Sequence, residues 1–157
     1  MRHFVEMLDA LSAENAEFLM VGGYALASYG APRATGDFDI WVRPTPDNAE
    51  RVFRALARFG APLSAHGVMP EDFSCEGNVY QIGLPPQRID VVTSVSGIDF
   101  QTAWTNRVRV TFLDHPVDVM SRSDFIRNKK ASGRPKDLAD VLAVEDVMRA
   151  EDVEPEP

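Results

Sequence analysis

The chain has 157 residues, of which 45% are hydrophobic, and a formal net charge of −8 at pH 7. That length favours one domain with a sizeable hydrophobic core, and the acidic balance argues against a broad basic face for nucleic acid, though not against a local basic patch. The single cysteine, Cys75, excludes an internal disulfide and a zinc site built from cysteines.

Hydrophobic periodicity and turn residues predict alternating helices and strands. The first half should contain a helix over 3–14, a buried strand over 17–21, a helix over 24–30, a strand over 37–43, a helix between Thr45 and Gly60, and irregular chain over 61–77. The second half should contain a strand hairpin over 78–84 and 88–95, a helical turn over 97–104, a hairpin over 107–113 and 116–120, a helix over 124–130 capped by Ser121, and a last helix over 135–150 with Leu138, Val141, Leu142 and Met148 facing inward.

These elements predict an α/β (α+β) fold in which helices flank a small mixed sheet. We expect one domain over residues 1–150, with a core over about 17–120 and a C-terminal helical appendage over about 121–150. Residues 151–157 are acidic and include two prolines, a composition that predicts a disordered tail.

The sequence shows no targeting or membrane-spanning pattern. Acids interrupt the apolar positions of residues 1–15, which argues against a secretory signal peptide. No apolar run reaches the roughly 18 residues that cross a bilayer. We therefore expect a cytoplasmic protein that makes no membrane contact.

The predicted strand DFDIWVR carries two acids among hydrophobic residues. Because side chains alternate faces along a strand, Asp37 and Asp39 point the same way, while Phe38 and Ile40 point into a core. RIDVV repeats this pattern at Asp90. If the two strands are neighbours, three carboxylates converge, and their repulsion requires protonation or a divalent cation. Oxygen ligands of this kind favour Mg²⁺ or Mn²⁺.

Another interpretation places the D-x-D acids on a solvated strand face, paired with Arg33 or Arg43. D-x-D alone is a weak motif. Asp is depleted in strands, however, so three of them within two hydrophobic runs favour a functional role.

Gly22-Gly23 ends the first predicted strand and opens the helix that follows. A strand-to-helix turn that needs a positive φ angle would explain glycine there. The other interpretation is a phosphate site, since N–H groups at a helix start bind anions and glycine lets phosphates approach.

Together, VGG, then DFDIWV after thirteen intervening residues, and later RIDVV resemble the nucleotidyltransferase superfamily typified by DNA polymerase beta. The resemblance covers residues 17–93 and implies a small mixed sheet flanked by helices. It implies that Asp37, Asp39 and Asp90 are catalytic and bind the metal, and that Asp90 activates the acceptor hydroxyl. Gly22 and Gly23 would hold the triphosphate.

The whole chain is similar to small bacterial nucleotidyltransferases related to abortive-infection and toxin–antitoxin proteins. That similarity rests on R-x-T-x-D-x-D, from Arg33 to Asp39, and on a K…GRPKDLADV stretch from Lys129 to Val141.

The basic cluster over 127–136 is either a solvated helix end or, as in that family, a surface facing the nucleotide or the acceptor. Lys129 and Lys136 are our candidates for nucleotide binding. Arg33 is a third, with a salt bridge to a nearby acid as its alternative. Asp137 and Asp140 would cap the last helix and tie down the preceding loop, or Asp140 would pair with Lys129 or Arg134.

The resemblance implies an enzyme that moves a nucleoside monophosphate from an NTP such as ATP to an acceptor and releases pyrophosphate, with Mg²⁺ or Mn²⁺ as cofactor. The acceptor stays open among RNA such as a tRNA 3′ end, a protein, and a small molecule such as an aminoglycoside. A toxin–antitoxin or phage-defence setting, an antitoxin partner and a homo-oligomer are open as well. The alternatives are a non-catalytic nucleotide- or partner-binding module on the same fold, and a structural domain whose acids are surface residues.

Overall fold

A computed structural model describes residues 2–152 of the chain. The helices are α1 (Arg2–Ala13), α2 (Gly22–Ser28), α3 (Pro46–Phe59), α4 (Phe100–Thr105), α5 (Arg122–Ser132) and α6 (Pro135–Asp152), with a short 3₁₀ helix at Pro70–Phe73. The strands are β1 (Phe18–Val21), β2 (Asp37–Val42), β3 (Val79–Ile82), β4 (Arg88–Val92), β5 (Val108–Phe112) and β6 (His115–Val119).

The six strands form one mixed sheet in the order β3-β4-β2-β1-β6-β5. Both predicted hairpins are present, with β3 antiparallel to β4 and β5 antiparallel to β6. At the centre, β2 runs antiparallel to β1 but parallel to β4. The small mixed sheet flanked by helices is therefore confirmed.

The two faces of the sheet carry separate hydrophobic cores. The larger core lies on the side of α1, α2 and α3 and includes Phe4, Phe38, Ile40, Val52 and Leu56. The smaller core lies on the side of α4 and includes Leu19, Val21, Trp41, Phe100 and Met120. Because side chains alternate along β2, the residues that precede Trp41 on its own face are Asp39 and Asp37.

Helix α3 begins and ends where its sequence predicts. The Thr45 side chain accepts a hydrogen bond from the Asn48 N–H, and Pro46 occupies the first turn. Gly60 ends the helix in the left-handed region, at φ 97°.

Asn48 is buried and joins α3 to the central strands. Its Oδ1 accepts from the Glu17 N–H at 2.7 Å, and its Nδ2 donates to the carbonyls of Glu17 at 2.9 Å and Arg43 at 3.0 Å. These bonds hold the start of β1 beside the end of β2, and so contribute to the register that the aspartates share.

The C-terminal helices differ from prediction in two respects. The last helix extends to Asp152, and the rest of the predicted tail, residues 153–157, lies outside the described residues. The inward orientation of Leu138 and Leu142 was wrong, since their exposed fractions are 45% and 61%. The buried face of α6 is instead formed by Asp137, Asp140, Val141 and Val144, because two of these positions belong to an ion-pair network.

Within residues 2–152, no helix combines the length and the hydrophobicity needed to span a bilayer.

Replacing Asn48 tests its role in joining α3 to the sheet. Asn48→Ala leaves backbone groups of Glu17 and Arg43 without their side-chain partner, so we expect the free energy of unfolding in urea to fall by about 2 kcal/mol. Glu50→Ala, at an exposed position of the same helix, should change it by less than about 0.5 kcal/mol. Equal effects of the two substitutions would contradict this role.

Candidate active site

Three aspartates share one face of two neighbouring strands. The parallel register of β2 and β4 pairs Asp39 with Asp90 and Asp37 with Arg88. On its other side, Asp39 is opposite Val21, the last residue of β1. The period of two in both strands and the pairing of β2 with β4 thus bring Asp37, Asp39 and Asp90 together.

The Arg88 guanidinium lies between two of these carboxylates. Its Nη2 donates to Asp37 Oδ2 at 2.7 Å, and its Nε donates to Asp90 Oδ1 at 2.9 Å. A third bond joins Nη2 to Asp90 Oδ2 at 3.3 Å. The basic partner of the site is therefore neither Arg33 nor Arg43, since Arg33 pairs with Asp140 and Arg43 with Glu17.

Asp39 has the most perturbed electrostatics in the site. Burial raises the pKa of its carboxyl, and the negative charges of Asp90 and Asp37 raise it further, to about 6. Lys129 and Arg88 lower this pKa, but by less than burial and the two carboxylates raise it. The ionised Asp39 is thus disfavoured by its surroundings, as expected for a carboxylate that needs an additional positive charge.

Gly22 packs its backbone directly against Asp39. Its φ angle is +74°, and a Cβ at this position would lie 2.0 Å from Asp39 Oδ2. A Cβ on Gly23 would lie 2.7 Å from the Cβ of Thr35 in the loop before β2. Glycine is thus needed at both positions because neighbouring side chains approach the backbone closely. The positive φ angle, which is one of the two interpretations of this pair, applies to Gly22.

Lys129 on α5 is held by two buried aspartates of α6. Its Nζ lies 3.5 Å from Asp137 Oδ1 and 3.8 Å from Asp140 Oδ2. Arg134 bonds Asp137 at 2.7 Å, and Arg33 bonds Asp140 through Nε at 3.1 Å. This network links the loop before β2 to the helical appendage and keeps Lys129 close enough to lower the pKa of Asp39.

The other predicted nucleotide contacts are less constrained. Lys136 is exposed on α6 and makes no ion pair with any of residues 2–152. The Arg33 side chain is 41% exposed although it pairs with Asp140. Arg33 and Lys129 thus share Asp140, while Lys136 stands outside this network.

Sequence reasoning missed Arg88, although a signal for it was present. In RIDVV the spacing of two residues places Arg88 and Asp90 on the same face of the strand. The roles of Asp137 and Asp140 were only partly anticipated: the pairing of Asp140 with Lys129 was one alternative, but the pairing with Arg33 was not.

The donor set fits a hard divalent cation, although Arg88 occupies part of it. Among residues 2–152, no three His, Cys, Asp or Glu side chains are arranged to hold a metal ion together. The positive charge between Asp37 and Asp90 is a guanidinium, and Asp39 lacks such a partner. Three carboxylates on one face are oxygen ligands of the kind that Mg²⁺ and Mn²⁺ prefer.

Solved structures show the same architecture. The chain matches the lincosamide antibiotic adenylyltransferase LnuA, bound to lincomycin, with a TM-score of 0.57 over 93% of this chain and 96% of that one, at 12% identity. It matches ANT(2″)-Ia in complex with adenylyl-2″-tobramycin with a TM-score of 0.56 over 94% and 88%, at 16% identity. The chain has a nucleotidyltransferase fold. No protein-family model and no curated protein sequence matches it.

The contact between Gly22 and Asp39 in this nucleotidyltransferase fold can be tested with a matched glycine. Gly67 has a similar φ, +66°, but a Cβ there would meet nothing within 4 Å. Both Gly→Ala changes carry the left-handed backbone penalty of about 1 kcal/mol, whereas Gly22→Ala must also displace the half-buried carboxylate of Asp39. We therefore expect urea unfolding to show a larger loss of stability for Gly22→Ala. Similar losses in both variants would contradict the close approach.

The raised pKa of Asp39 predicts a pH dependence of stability. Since the folded pKa, about 6, exceeds the ordinary aspartate value of 3.8, the folded state retains the proton to higher pH, and this carboxyl lowers the free energy of unfolding as pH rises from about 4 to about 6. With a chelator present, Asp39→Asn should lie within about 0.5 kcal/mol of wild type near pH 4 and be more stable by about 3 kcal/mol at pH 7.5.

Urea unfolding between pH 4 and 8 measures this difference. Asp118→Asn is the control, because Asp118 is also a strand aspartate paired with arginines, Arg107 and Arg109, but lies away from the site. It should gain no stability at pH 7.5. A constant difference between Asp39→Asn and wild type over the whole range would show that Asp39 has no raised pKa.

Proposed function

We propose that the protein is a metal-dependent nucleotidyltransferase. The observation that carries the proposal is the set of three aspartates on adjacent parallel strands of a nucleotidyltransferase fold, with Asp39 directly opposite Asp90. The reaction transfers a nucleoside monophosphate from an NTP to an acceptor hydroxyl. A bond forms between the acceptor oxygen and the α-phosphorus, and the bond from that phosphorus to the pyrophosphate oxygen breaks.

The three aspartates have distinct tasks in this proposal. Asp37, Asp39 and Asp90 would hold Mg²⁺ or Mn²⁺, which when bound supplies charge neutralisation for the phosphates and the leaving pyrophosphate. Asp90 accepts the proton of the acceptor hydroxyl, and pyrophosphate leaves with the electron pair of the broken bond. The burial of Asp39 beside two like charges supports a cation-binding role.

The nucleotide phosphates have candidate partners on both sides of the aspartates. Gly22 and Gly23 expose backbone next to Asp39, where a side chain would collide with the carboxylate or with Thr35. Lys129 approaches from α5 and Lys136 is exposed on α6, while Arg33 lies in the loop before β2 and pairs with Asp140. These five residues would orient the triphosphate, the charged ones by ion pairing and the glycines through N–H groups.

A small molecule with a free hydroxyl is the acceptor that the observations favour. The two matched structures were determined with lincomycin and with adenylyl-2″-tobramycin, and this chain spans most of both proteins. A net charge of −8 disfavours RNA. Within the basic cluster, Lys129 and Arg134 are paired with aspartates of α6, which leaves less positive charge for a nucleic-acid backbone.

One observation favours the alternative, a nucleotide-binding module without catalysis. The ion pairs of Arg88 with Asp37 and Asp90 occupy the oxygens that a metal would use. A module that binds NTP without transferring it would retain these ion pairs, whereas an enzyme that binds its metal through the same oxygens would weaken them. The toxin–antitoxin or phage-defence setting, an antitoxin, a homo-oligomer and a cytoplasmic location stay predictions from the sequence.

Transfer of radiolabel from α-labelled NTPs tests the proposed activity. The purified protein, with Mg²⁺ or Mn²⁺ and each of the four NTPs, is offered lincosamides, aminoglycosides, total RNA and total protein. We expect label on a small-molecule acceptor. Asp39→Asn should reduce the transfer by roughly a hundredfold or more, because the cation that neutralises the phosphates loses a carboxylate ligand.

Asp118→Asn is the matched control and should retain the activity. Label on RNA or protein instead would reassign the acceptor within the same activity. Binding of NTP without transfer to any acceptor would favour the non-catalytic module, and transfer that survives Asp39→Asn would contradict the site.

A further inference from the structure

Arg88 is the residue of the site whose geometry the proposed reaction leaves unexplained. It makes three hydrogen bonds to two carboxylates, and its side chain is only 26% exposed. Backbone register determines this position, since Arg88 lies opposite Asp37 in the parallel pair and two residues before Asp90 on the same strand. The guanidinium is therefore an integral part of the acidic face.

The charge of the cluster is only partly balanced by this guanidinium. Asp37 and Asp90 are bonded to Arg88, but Asp39 is not. The next cation, Lys129, is bound to Asp137 and Asp140. Three carboxylates thus face one guanidinium with a single positive charge, and a divalent cation would balance them better than Arg88 does.

Arg88 and a divalent cation would draw on the same carboxylates. Guanidinium donors occupy both oxygens of Asp90 and one oxygen of Asp37. An arginine stays charged at every pH at which the protein is folded, so it cannot withdraw by losing its proton. A cation that binds through the lone pairs now used by the Arg88 N–H groups would displace it from at least one carboxylate.

We propose that Arg88 is a built-in counter-ion that competes with the divalent cation for Asp37 and Asp90. In the cation-free protein the guanidinium suppresses the repulsion among the aspartates, and it withdraws when the cation binds. Arg88 thereby weakens the intrinsic affinity of the site for the metal. This inference rests on the proposed metal-binding role of the three aspartates, but not on any particular acceptor.

The affinity for Mn²⁺ alone, measured by the electron paramagnetic resonance signal of free Mn²⁺, tests the competition without any nucleotide. Arg88→Gln removes the charge and keeps a polar side chain. We expect it to bind Mn²⁺ about tenfold more tightly than wild type, because a like charge beside the ion is lost. Asp39→Asn should abolish the binding, which locates the ion at this site.

The matched control is Arg109→Gln. Arg109 makes the same kind of two-bond contact, to Asp118 at 3.0 and 3.3 Å, but on the opposite end of the sheet. This variant should bind Mn²⁺ with wild-type affinity. An increase equal to that of Arg88→Gln would show a general effect of net charge and would overturn the proposal.

Thermal unfolding separates a counter-ion from a purely structural arginine. In the presence of a chelator, Arg88→Gln should unfold at a lower temperature than wild type, because the three aspartates repel one another without compensation. Mn²⁺ should raise the unfolding temperature of Arg88→Gln more than that of wild type. A variant that is destabilised and gains no more from Mn²⁺ than wild type would show that Arg88 is only structural.

Arg88→Lys provides a second variant if Arg88→Gln does not fold. An ammonium keeps the charge but not the planar two-bond geometry, so Mn²⁺ affinity should rise by a smaller factor. Unchanged or weaker affinity in the folded Arg88 variants, or no Mn²⁺ binding by wild type and variants alike, overturns the inference. If the Arg88 variants bind Mn²⁺ more tightly but the wild-type protein transfers no nucleotide, the counter-ion role is supported and the proposed activity is contradicted. If nucleotide is transferred but Mn²⁺ affinity is unchanged in the variants, the activity is supported and the counter-ion role is contradicted.

Discussion

Three carboxylates on one face of two adjacent strands repel one another, and the rest of the site is arranged around that repulsion. Arg88 bonds Asp37 and Asp90 from within the sheet and balances part of their charge, while Asp39 keeps a pKa raised to about 6 by burial and by its neighbours. A site of this kind is electrostatically unfavourable in isolation, which is common where proteins bind cations or perform chemistry. The fold supplies what keeps it together.

Backbone packing, as well as charge, determines the position of Asp39. Asp39 is approached so closely by Gly22 that a side chain there would overlap the carboxylate. The strand β1 ends at Val21, opposite Asp39. The turn into α2 therefore begins at the point where a side chain would collide with the Asp39 carboxylate. The hydrogen bonds of Asn48 hold β1 and β2 together at their other ends. The pairing of β1 with β2 thus depends on a close backbone contact at one end and on side-chain hydrogen bonds at the other.

The C-terminal helical hairpin has an electrostatic role of its own. Asp137 and Asp140 are buried and are satisfied by Lys129, Arg134 and Arg33. Buried ion pairs add little net stability, but breaking one of them is costly, so they determine where groups lie. Here they fix the position of Lys129, whose charge acts on Asp39 from outside the sheet. The leucines of α6 are exposed as a consequence, because the acids of this network occupy the buried face of the helix.

The sequence by itself determined the local features of this protein. The period of two in DFDIWV and RIDVV places each acid on the polar face of its strand, and Thr45, Pro46 and Gly60 delimit α3. With the resemblance, these patterns were enough to predict the fold class, the two hairpins and the convergence of three aspartates on one face of the sheet. Such features depend on backbone geometry within a few residues, which the sequence specifies directly.

Only the tertiary structure decided which charges meet. Arg88 and Asp37 are 51 positions apart, and Arg33 and Asp140 are 107 positions apart. The pairing of β2 with β4, and the docking of α6 through its acids rather than through Leu138 and Leu142, follow from the packing of the whole chain. Hydrophobic periodicity predicts on which face of its own helix or strand a side chain lies. It does not predict which other helix or strand packs against that face. That choice depends on burial and charge compensation summed over distant segments.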